Sequence, residues 1–242
     1  MSRESSCNKK CFSVHKGGPG NKFQRRPVVV RDIYNTLQAD LIDYKKIIGS
    51  NNKYRYILTV IDALSRKAWT EKLIDKRAST TASALDKIIS SMPRIPTFFS
   101  SDQGNEFNYK NQHIKSVLVD KYHMHIFTMQ GKTKGSIVER FNRTLKTRFA
   151  RYFTENHTKR WIDQLQNFTR NYNRTYHRTI KMAPNDVTSE KVEQVIKNVY
   201  PNASNRVSCS PYPFKVGDKV RIPRTKNLFS KGYEQSMRIQ MN

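Results

Sequence analysis

The chain of 242 residues contains 45 Lys and Arg against 19 Asp and Glu, a formal net charge of +26, and 36% of its residues are hydrophobic. That hydrophobic fraction supports a folded core and argues against a fully disordered protein. The uncompensated positive charge indicates a densely negative partner, and nucleic acid fits better than a small acidic substrate, an anionic membrane or a merely solvated surface. Three cysteines argue against a disulfide framework.

The first 33 residues are rich in Ser, Lys, Gly and Arg and show no hydrophobic period. The run Gly17-Gly18-Pro19-Gly20 lies in the middle of this segment, which we predict to be a flexible basic arm. Cys7, Cys11 and His15 are spaced closely enough to form part of a zinc site. Because zinc normally takes four ligands and the fourth is not evident, the sequence assigns no zinc site and leaves their role open.

From Thr36 onward the sequence contains runs of residues that favour β-strands. Residues 37–44 and 54–62 predict two core strands joined by a Gly-Ser-Asn-Asn turn, and residues 67–73 predict a third strand of the same meander. Helical and strand patterns then alternate: helix 79–92, strand 97–101, helix 111–122 and strand 124–127. This order predicts an α/β fold with a mixed central sheet flanked by helices.

A polar, glycine-rich loop at 131–136 precedes a long predicted helix with two faces. Phe141, Leu145, Phe149 and Tyr152 form an apolar stripe at helical spacing. A second face carries Glu139, Asn142, Arg143 and Lys146. Further helices are predicted at 158–172 and 189–199, followed by a Pro/Asn/Ser linker at 200–211 and a strand-like run at 219–222.

Three acids lie where a metal site could form: Asp40 within a core strand, Asp102 at the end of another, and Glu139 at the start of the long helix. Each has an ordinary interpretation, as a hydrogen-bonded strand acid, a turn former or a helix-dipole acid. Together they offer the oxygen ligands that Mg²⁺ prefers. Two such ions can stabilise both the attacking and the leaving oxygen of a phosphodiester displacement.

The sequences around these acids resemble the catalytic core of retroviral-type integrases. The resemblance is carried by Leu37-Gln38-Ala39-Asp40, by residues 101–107 and by residues 135–146, with Asp102 and Glu139 separated by 37 positions. It covers roughly residues 34–190 and includes Tyr56 to Arg66, Asn173 to Thr179 and Ala183-Pro184-Asn185. Within that family the sequences of residues 37–43 and 53–59 most resemble integrases of Maverick/Polinton elements and related large DNA viruses.

The resemblance implies a ribonuclease H-like fold with a mixed five-stranded sheet and a DNA-recombining enzyme. Asp40, Asp102 and Glu139 would hold two Mg²⁺ or Mn²⁺ ions for 3′-end processing and strand transfer. The residues expected to contact DNA are Lys132, Lys134, Asn142, Arg143 and Lys146. The implied partners are element ends, target DNA and further copies of the chain, with no membrane and no small-molecule substrate. The absence of a hydrophobic segment after Met1 and the implied family predict the nucleus of a host cell, or association with a virion.

Residues 212–242 resemble only the opening of the small SH3-like barrel that follows integrase cores. Phe214 to Ile222 and Phe229 to Tyr233 match it, but the expected tryptophan-bearing strand is absent and about 30 residues are too few to close a barrel. We therefore predict an incomplete SH3-like β segment. The predicted organisation is a basic arm (1–33), the catalytic core (34–190), a helix and linker (191–211) and this partial DNA-binding segment (212–242).

Two other functions remain open from the sequence. One is a non-catalytic DNA-binding derivative of a mobile element, and the other is a ribonuclease H-like nuclease or transposase. Asp43 and Asp62 are the acids most easily mistaken for ligands: Asp43 has the opposite strand parity from Asp40, and Asp62 is expected to support the sheet. Trp69 and Trp161 are predicted to be core residues.

Overall fold

The computed structural model describes residues 29–102, 104–108, 110–128, 135–201, 220–223 and 237–240. Two compact units account for the chain: residues 29–201 form one, and residues 1–28 with 202–242 form the other. Cys7, Cys11 and His15 lie outside the described residues, as do most of the residues of the predicted SH3-like segment.

The larger unit is built on a five-stranded mixed sheet of order β3-β2-β1-β4-β5. Its strands are β1 (Thr36–Asp43), β2 (Tyr56–Asp62), β3 (Ala68–Leu73), β4 (Phe98–Ser101) and β5 (His125–Thr128). The first three strands pair antiparallel, whereas β4 runs parallel to both β1 and β5. The meander followed by βαβ units that the sequence predicted is therefore confirmed.

Helices cover both faces of this sheet. They are α1 (Ala78–Ser90), α2 (Gln112–Lys115) with a π-helical continuation (Ser116–Lys121), α3 (Ser136–Glu155), α4 (Leu165–Arg174) and α5 (Val192–Val199). Short 3₁₀ turns occur at Lys45–Ser50, Asn105–Phe107, Pro184–Asp186 and Ser189–Lys191. Among the described residues, no helix is long and apolar enough to cross a membrane.

The two faces of the sheet bury separate hydrophobic clusters because successive strand residues point to opposite sides. Leu37 and Ala39 of β1 pack toward α1 in one cluster. Ile42 packs in the other cluster with Phe141 and Phe149 of α3. Both faces of β2 are buried, which explains why its sequence reads as a continuous apolar run rather than an alternating one.

A third buried cluster joins segments that the sequence analysis had placed outside the core. Val30 and Ile33 pack with Leu64 and with Val195 of α5. The predicted arm of residues 1–33 was therefore wrong for its last few residues, because two apolar side chains there are buried. The prediction also separated α5 from the core, whereas its apolar face packs in this cluster.

The helix that we predicted over residues 158–172 begins later, at Leu165. Asn51 explains the delay, because its side-chain oxygen accepts the Trp161 N–H at 2.7 Å and its amide nitrogen donates to the Lys159 carbonyl at 2.9 Å. These bonds tie the chain before α4 to the β1–β2 connection. In the smaller unit, β6 (Val220–Pro223) pairs antiparallel with β7 (Met237–Gln240).

Candidate functional site

The parallel pairing of β1 with β4 brings two of the predicted acids to one edge of the sheet. Gln38 of β1 lies opposite Ser100 of β4. Asp40 and Asp102 each follow two residues later, so the two acids share a register position and a face. The carboxyl ends of neighbouring parallel strands meet at this edge, which is where ligands bind in α/β sheets.

Helix α3 supplies the third acid from above this edge. Its N-terminal residues are fixed to β1, since the Val138 N–H donates to Gln38 Oε1 at 3.4 Å. Glu139 lies in the first turn of α3 and is exposed. An open cavity of about 540 Å³ lies between the strand and the helix. It is lined by Asp40, Glu139, Asn142, Arg143, Lys146, Thr147 and Ala150.

Asp40 is a half-buried carboxylate held by two donors. Its Oδ1 accepts the Leu41 N–H at 2.8 Å, and its Oδ2 accepts Asn142 Nδ2 at 2.7 Å. Burial raises the pKa of Asp40 above its ordinary value, and the negative charge of Asp102 raises this pKa as well. The Leu41 and Asn142 hydrogen bonds and the charge of Lys146 act in the opposite direction.

The oxygen atoms around Asp40 are suited to a divalent cation. Burial and the charge of Asp102 disfavour the ionised form of Asp40, and Oδ1 of Asn142 is buried without a partner, so a hard cation beside these oxygens would be stabilising. Across the described ranges, however, no three His, Cys, Asp or Glu side chains lie close enough to share one ion. The donor chemistry fits Mg²⁺, whereas the three carboxylates as placed do not form a closed ligand set.

The structure brings together most of the predicted site residues. Asp40 and Glu139 line the same cavity as Asn142, Arg143 and Lys146, and Asp102 lies close enough to act electrostatically on Asp40. Lys132 and Lys134 lie outside the described residues. The catalytic and DNA-binding roles of these residues remain predictions.

Asp43 and Asp62, the acids most easily mistaken for metal ligands, do not line the cavity that contains Asp40 and Glu139. Asp43 is exposed and pairs with Lys45 at 3.4 Å. Asp62 is fully buried and accepts the Tyr34 N–H at 3.1 Å and the Ser65 N–H at 2.8 Å, so it supports the β2–β3 turn. Trp161 is fully buried, as predicted, and Trp69 is half-buried against the core.

Sequence reasoning missed two polar contributors near the acids. Gln38 lies two residues before Asp40, and its side chain accepts a hydrogen bond from α3. Strand alternation alone would have placed it on the same face. The carboxyl group of Glu106 packs against Gly104. A side chain at position 104 would place its Cβ only 2.7 Å from Glu106 Cδ, so the Glu106 side chain would have to move. No local pattern signals this second contact, because it depends on the path of the loop after Asp102.

No protein-family model matches this chain. A transposon-derived protein of Caenorhabditis elegans is 34% identical over 192 residues, which represent 79% of this chain and 62% of that protein. The chain therefore spans a little less than two thirds of the length of this relative.

Three solved structures share the fold at low sequence identity. The HTLV-2 integrase catalytic core domain in complex with magnesium matches with a TM-score of 0.50 and 18% identity, over 66% of this chain and 97% of that domain. The catalytic core domain of BIV integrase matches with a TM-score of 0.51 and 17% identity, over 66% of this chain and 96% of that domain. A chain of the simian T-cell lymphotropic virus intasome matches with a TM-score of 0.55 and 17% identity, over 84% of this chain and 63% of that chain. The ribonuclease H-like fold class predicted from the sequence is thus confirmed.

Proposed function

We propose that the chain is a polynucleotidyl transferase that processes DNA 3′ ends and joins them to target DNA. The observation that carries this proposal is the matched register of Asp40 and Asp102 at one sheet edge, with Glu139 lining the same cavity as Asp40. The integrase-core fold and the transposon-derived relative support the same class of function.

In this proposal Asp40, Asp102 and Glu139 would hold two Mg²⁺ or Mn²⁺ ions. Bound ions would supply charge stabilisation at the attacking and leaving oxygens of a phosphodiester. Asn142 orients the Asp40 carboxylate through its 2.7 Å hydrogen bond. Arg143 and Lys146 line the cavity and would pair with DNA phosphates. Lys132 and Lys134 are proposed to assist them from the preceding loop.

The wider setting is also part of this proposal. Residues 1–28 would be a basic arm and 212–242 a partial SH3-like DNA-binding segment, while the catalytic core would extend over the compact unit of residues 29–201, which includes α5. We propose that several copies of the chain act together on element ends and target DNA, in the nucleus of a host cell or within a virion. The sequence similarity of residues 37–43 and 53–59 favours an origin in Maverick/Polinton-type elements or related DNA viruses.

Oligonucleotide strand transfer with Mg²⁺ or Mn²⁺ tests the reaction. We expect joined products with the full chain and a loss of at least about 100-fold in Asp102→Asn, because removal of a metal ligand withdraws several kcal/mol of charge stabilisation. Asp120→Asn is the matched control: it removes an exposed acid that does not line this cavity. Equal activity in Asp102→Asn and Asp120→Asn would refute the assignment.

A non-catalytic DNA-binding derivative is the second candidate. It is favoured by the observation that the three carboxylates, among the described residues, do not form one ligand set. This candidate predicts salt-sensitive DNA binding with neither cleavage nor joining. A nuclease would instead give cleavage without joined products, so the same assay separates all three functions.

A further inference from the structure

A second cavity, of about 430 Å³, lies against a different face of α3 from the one that carries Glu139 and Asn142. Four arginines line it: Arg66, Arg140, Arg148 and Arg178. His177 and several hydroxyl side chains complete the wall, and no acidic residue belongs to the described lining. The cavity therefore concentrates positive charge without a countercharge in its own wall.

Arg66 is the unusual member of this cluster. It is only 8% exposed, and its Nη1 has no hydrogen-bond partner. Its backbone adopts a φ of 63°, in the left-handed region that non-glycine residues seldom occupy. A buried guanidinium nitrogen without a partner is costly, and an anion bound in the cavity would relieve this cost.

Asp62 interacts electrostatically with Arg66 but does not form an ion pair with it. Both Asp62 oxygens are already engaged by the Tyr34 N–H and by the backbone and hydroxyl of Ser65. Burial lowers the pKa of Arg66 from its ordinary value, and the charge of Arg140 also lowers it. Within the described part of the chain, Arg66 thus lacks an ion-pair partner.

We propose that this cavity binds an oxyanion of the phosphate class, supplied by the backbone of a nucleic acid. Guanidinium groups match phosphate oxygens in geometry, and several arginines around one cavity suit a tetrahedral, multiply accepting anion better than a single carboxylate. Ser136 and Thr179 line the same cavity and add hydroxyl groups that can donate, whereas the hydroxyls of Thr144 and Thr175 already donate to the carbonyls of Arg140 and Asn171.

Nucleic acid is favoured over other phosphates by two further features. The whole chain carries a net charge of +26, which attracts polyanions. Tyr176 lines the cavity, is 63% exposed and offers a ring on which a base can stack. The choice of DNA as the occupant rests on the proposed function, whereas the oxyanion site itself does not.

The first test uses inorganic phosphate and the thermal unfolding of the full chain. We expect phosphate to raise Tm by about 2–4 °C relative to chloride at equal ionic strength. This shift should disappear in Arg66→Met and in the double variant Arg140→Gln/Arg178→Gln. The control Arg151→Gln/Arg174→Gln removes two exposed arginines outside the cavity and should keep the shift. Because Arg66→Met can alter folding, the exposed Arg140 and Arg178 provide the decisive comparison.

The second test measures binding of a DNA duplex as a function of salt. Loss of one phosphate contact should weaken binding about tenfold and make the slope of log K against log salt shallower by about 1 in Arg140→Gln/Arg178→Gln, relative to the control pair. Failure of phosphate to stabilise the chain would overturn the site. Phosphate stabilisation with equal DNA slopes in both double variants would overturn the nucleic acid occupant. Absence of strand transfer with both effects present would refute only the proposed reaction.

Discussion

At the residue scale, Asp40 is a carboxylate whose surroundings disfavour its charged form. Burial and the neighbouring Asp102 both disfavour its charged form, yet two donors, the Leu41 N–H and Asn142 Nδ2, orient the carboxylate. A residue retained only for folding would favour a neutral side chain at this position. The unfavourable electrostatics are what a bound cation would relieve.

Asp40→Asn should therefore stabilise the metal-free protein while abolishing its response to metal. We expect Tm in EDTA to rise by about 2–4 °C, because the substitution removes a buried negative charge beside Asp102. Mg²⁺ should raise the Tm of the unsubstituted chain but not that of Asp40→Asn. The matched control is Asp43→Asn, on the opposite face of β1, which should keep the Mg²⁺ response. A Mg²⁺ response that survives in Asp40→Asn would contradict a metal role for this residue.

The sequence singled out Asp40, Asp102 and Glu139 as a set through the resemblance of the motifs around them, because each acid alone has an ordinary local interpretation, and their roles remain predictions. Asn51 and Arg66 could not be predicted. Asn51 binds backbone atoms 108 and 110 positions away, and the isolation of Arg66 is visible only once the partners of Asp62 are known. Amide and guanidinium groups are common on surfaces, so their type alone gives no signal of burial.

At the element scale, the edge strand β3 is protected by side chains of α4. An edge strand exposes unpaired backbone groups that can pair with other chains. Asn173 satisfies both groups of Ala68: its Oδ1 accepts the Ala68 N–H at 2.9 Å and its Nδ2 donates to the Ala68 carbonyl at 2.8 Å. Gln166 Nε2 donates to the Thr70 carbonyl at 2.8 Å, two residues along the same edge. Side chains of α4 thus make hydrogen bonds that a neighbouring strand would otherwise make at this edge.

Asn173→Leu should lower the free energy of unfolding by about 2–4 kcal/mol, because it leaves a buried N–H and a buried carbonyl of Ala68 without partners. Hydrogen exchange at the Ala68 amide should become faster than in the unsubstituted chain. Asn171→Leu, at an exposed position of the same helix, serves as the control and should change stability by less than about 0.5 kcal/mol. Because Leu is a better helix former than Asn, similar losses in both variants would indicate a general effect of the apolar side chain in α4 rather than loss of the bonds to Ala68.

The order and type of elements could be predicted from periodicity, but several boundaries could not. The predicted helix over residues 111–122 is present, yet its second half, Ser116–Lys121, is π-helical. Helix α4 begins seven residues later than predicted, because Asn51 holds the backbone at Lys159 and Trp161. Periodicity registers which side chains are apolar, whereas a helix start depends on where backbone N–H groups find partners.

At the scale of the whole molecule, positive charge is distributed over both compact units. Residues 1–28 contain seven Lys and Arg and a single Glu. The larger unit carries its own arginine-lined cavity and the cavity with Arg143 and Lys146. Sequence composition predicts the affinity for polyanions but not its division among surfaces, because only folding decides which cations share a face.

The segment 1–28 should contribute to DNA affinity through charge alone. Replacing its seven Lys and Arg by Gln should make the slope of log K against log salt less steep by several units, since each phosphate contact contributes about 0.9. Fluorescence anisotropy with a short duplex between about 50 and 300 mM KCl measures this slope. Deletion of residues 1–28 should give the same slope as the substitutions, because both remove the same cations. An affinity that falls with the deletion but not with the substitutions would show that contacts other than charge carry the contribution of this segment.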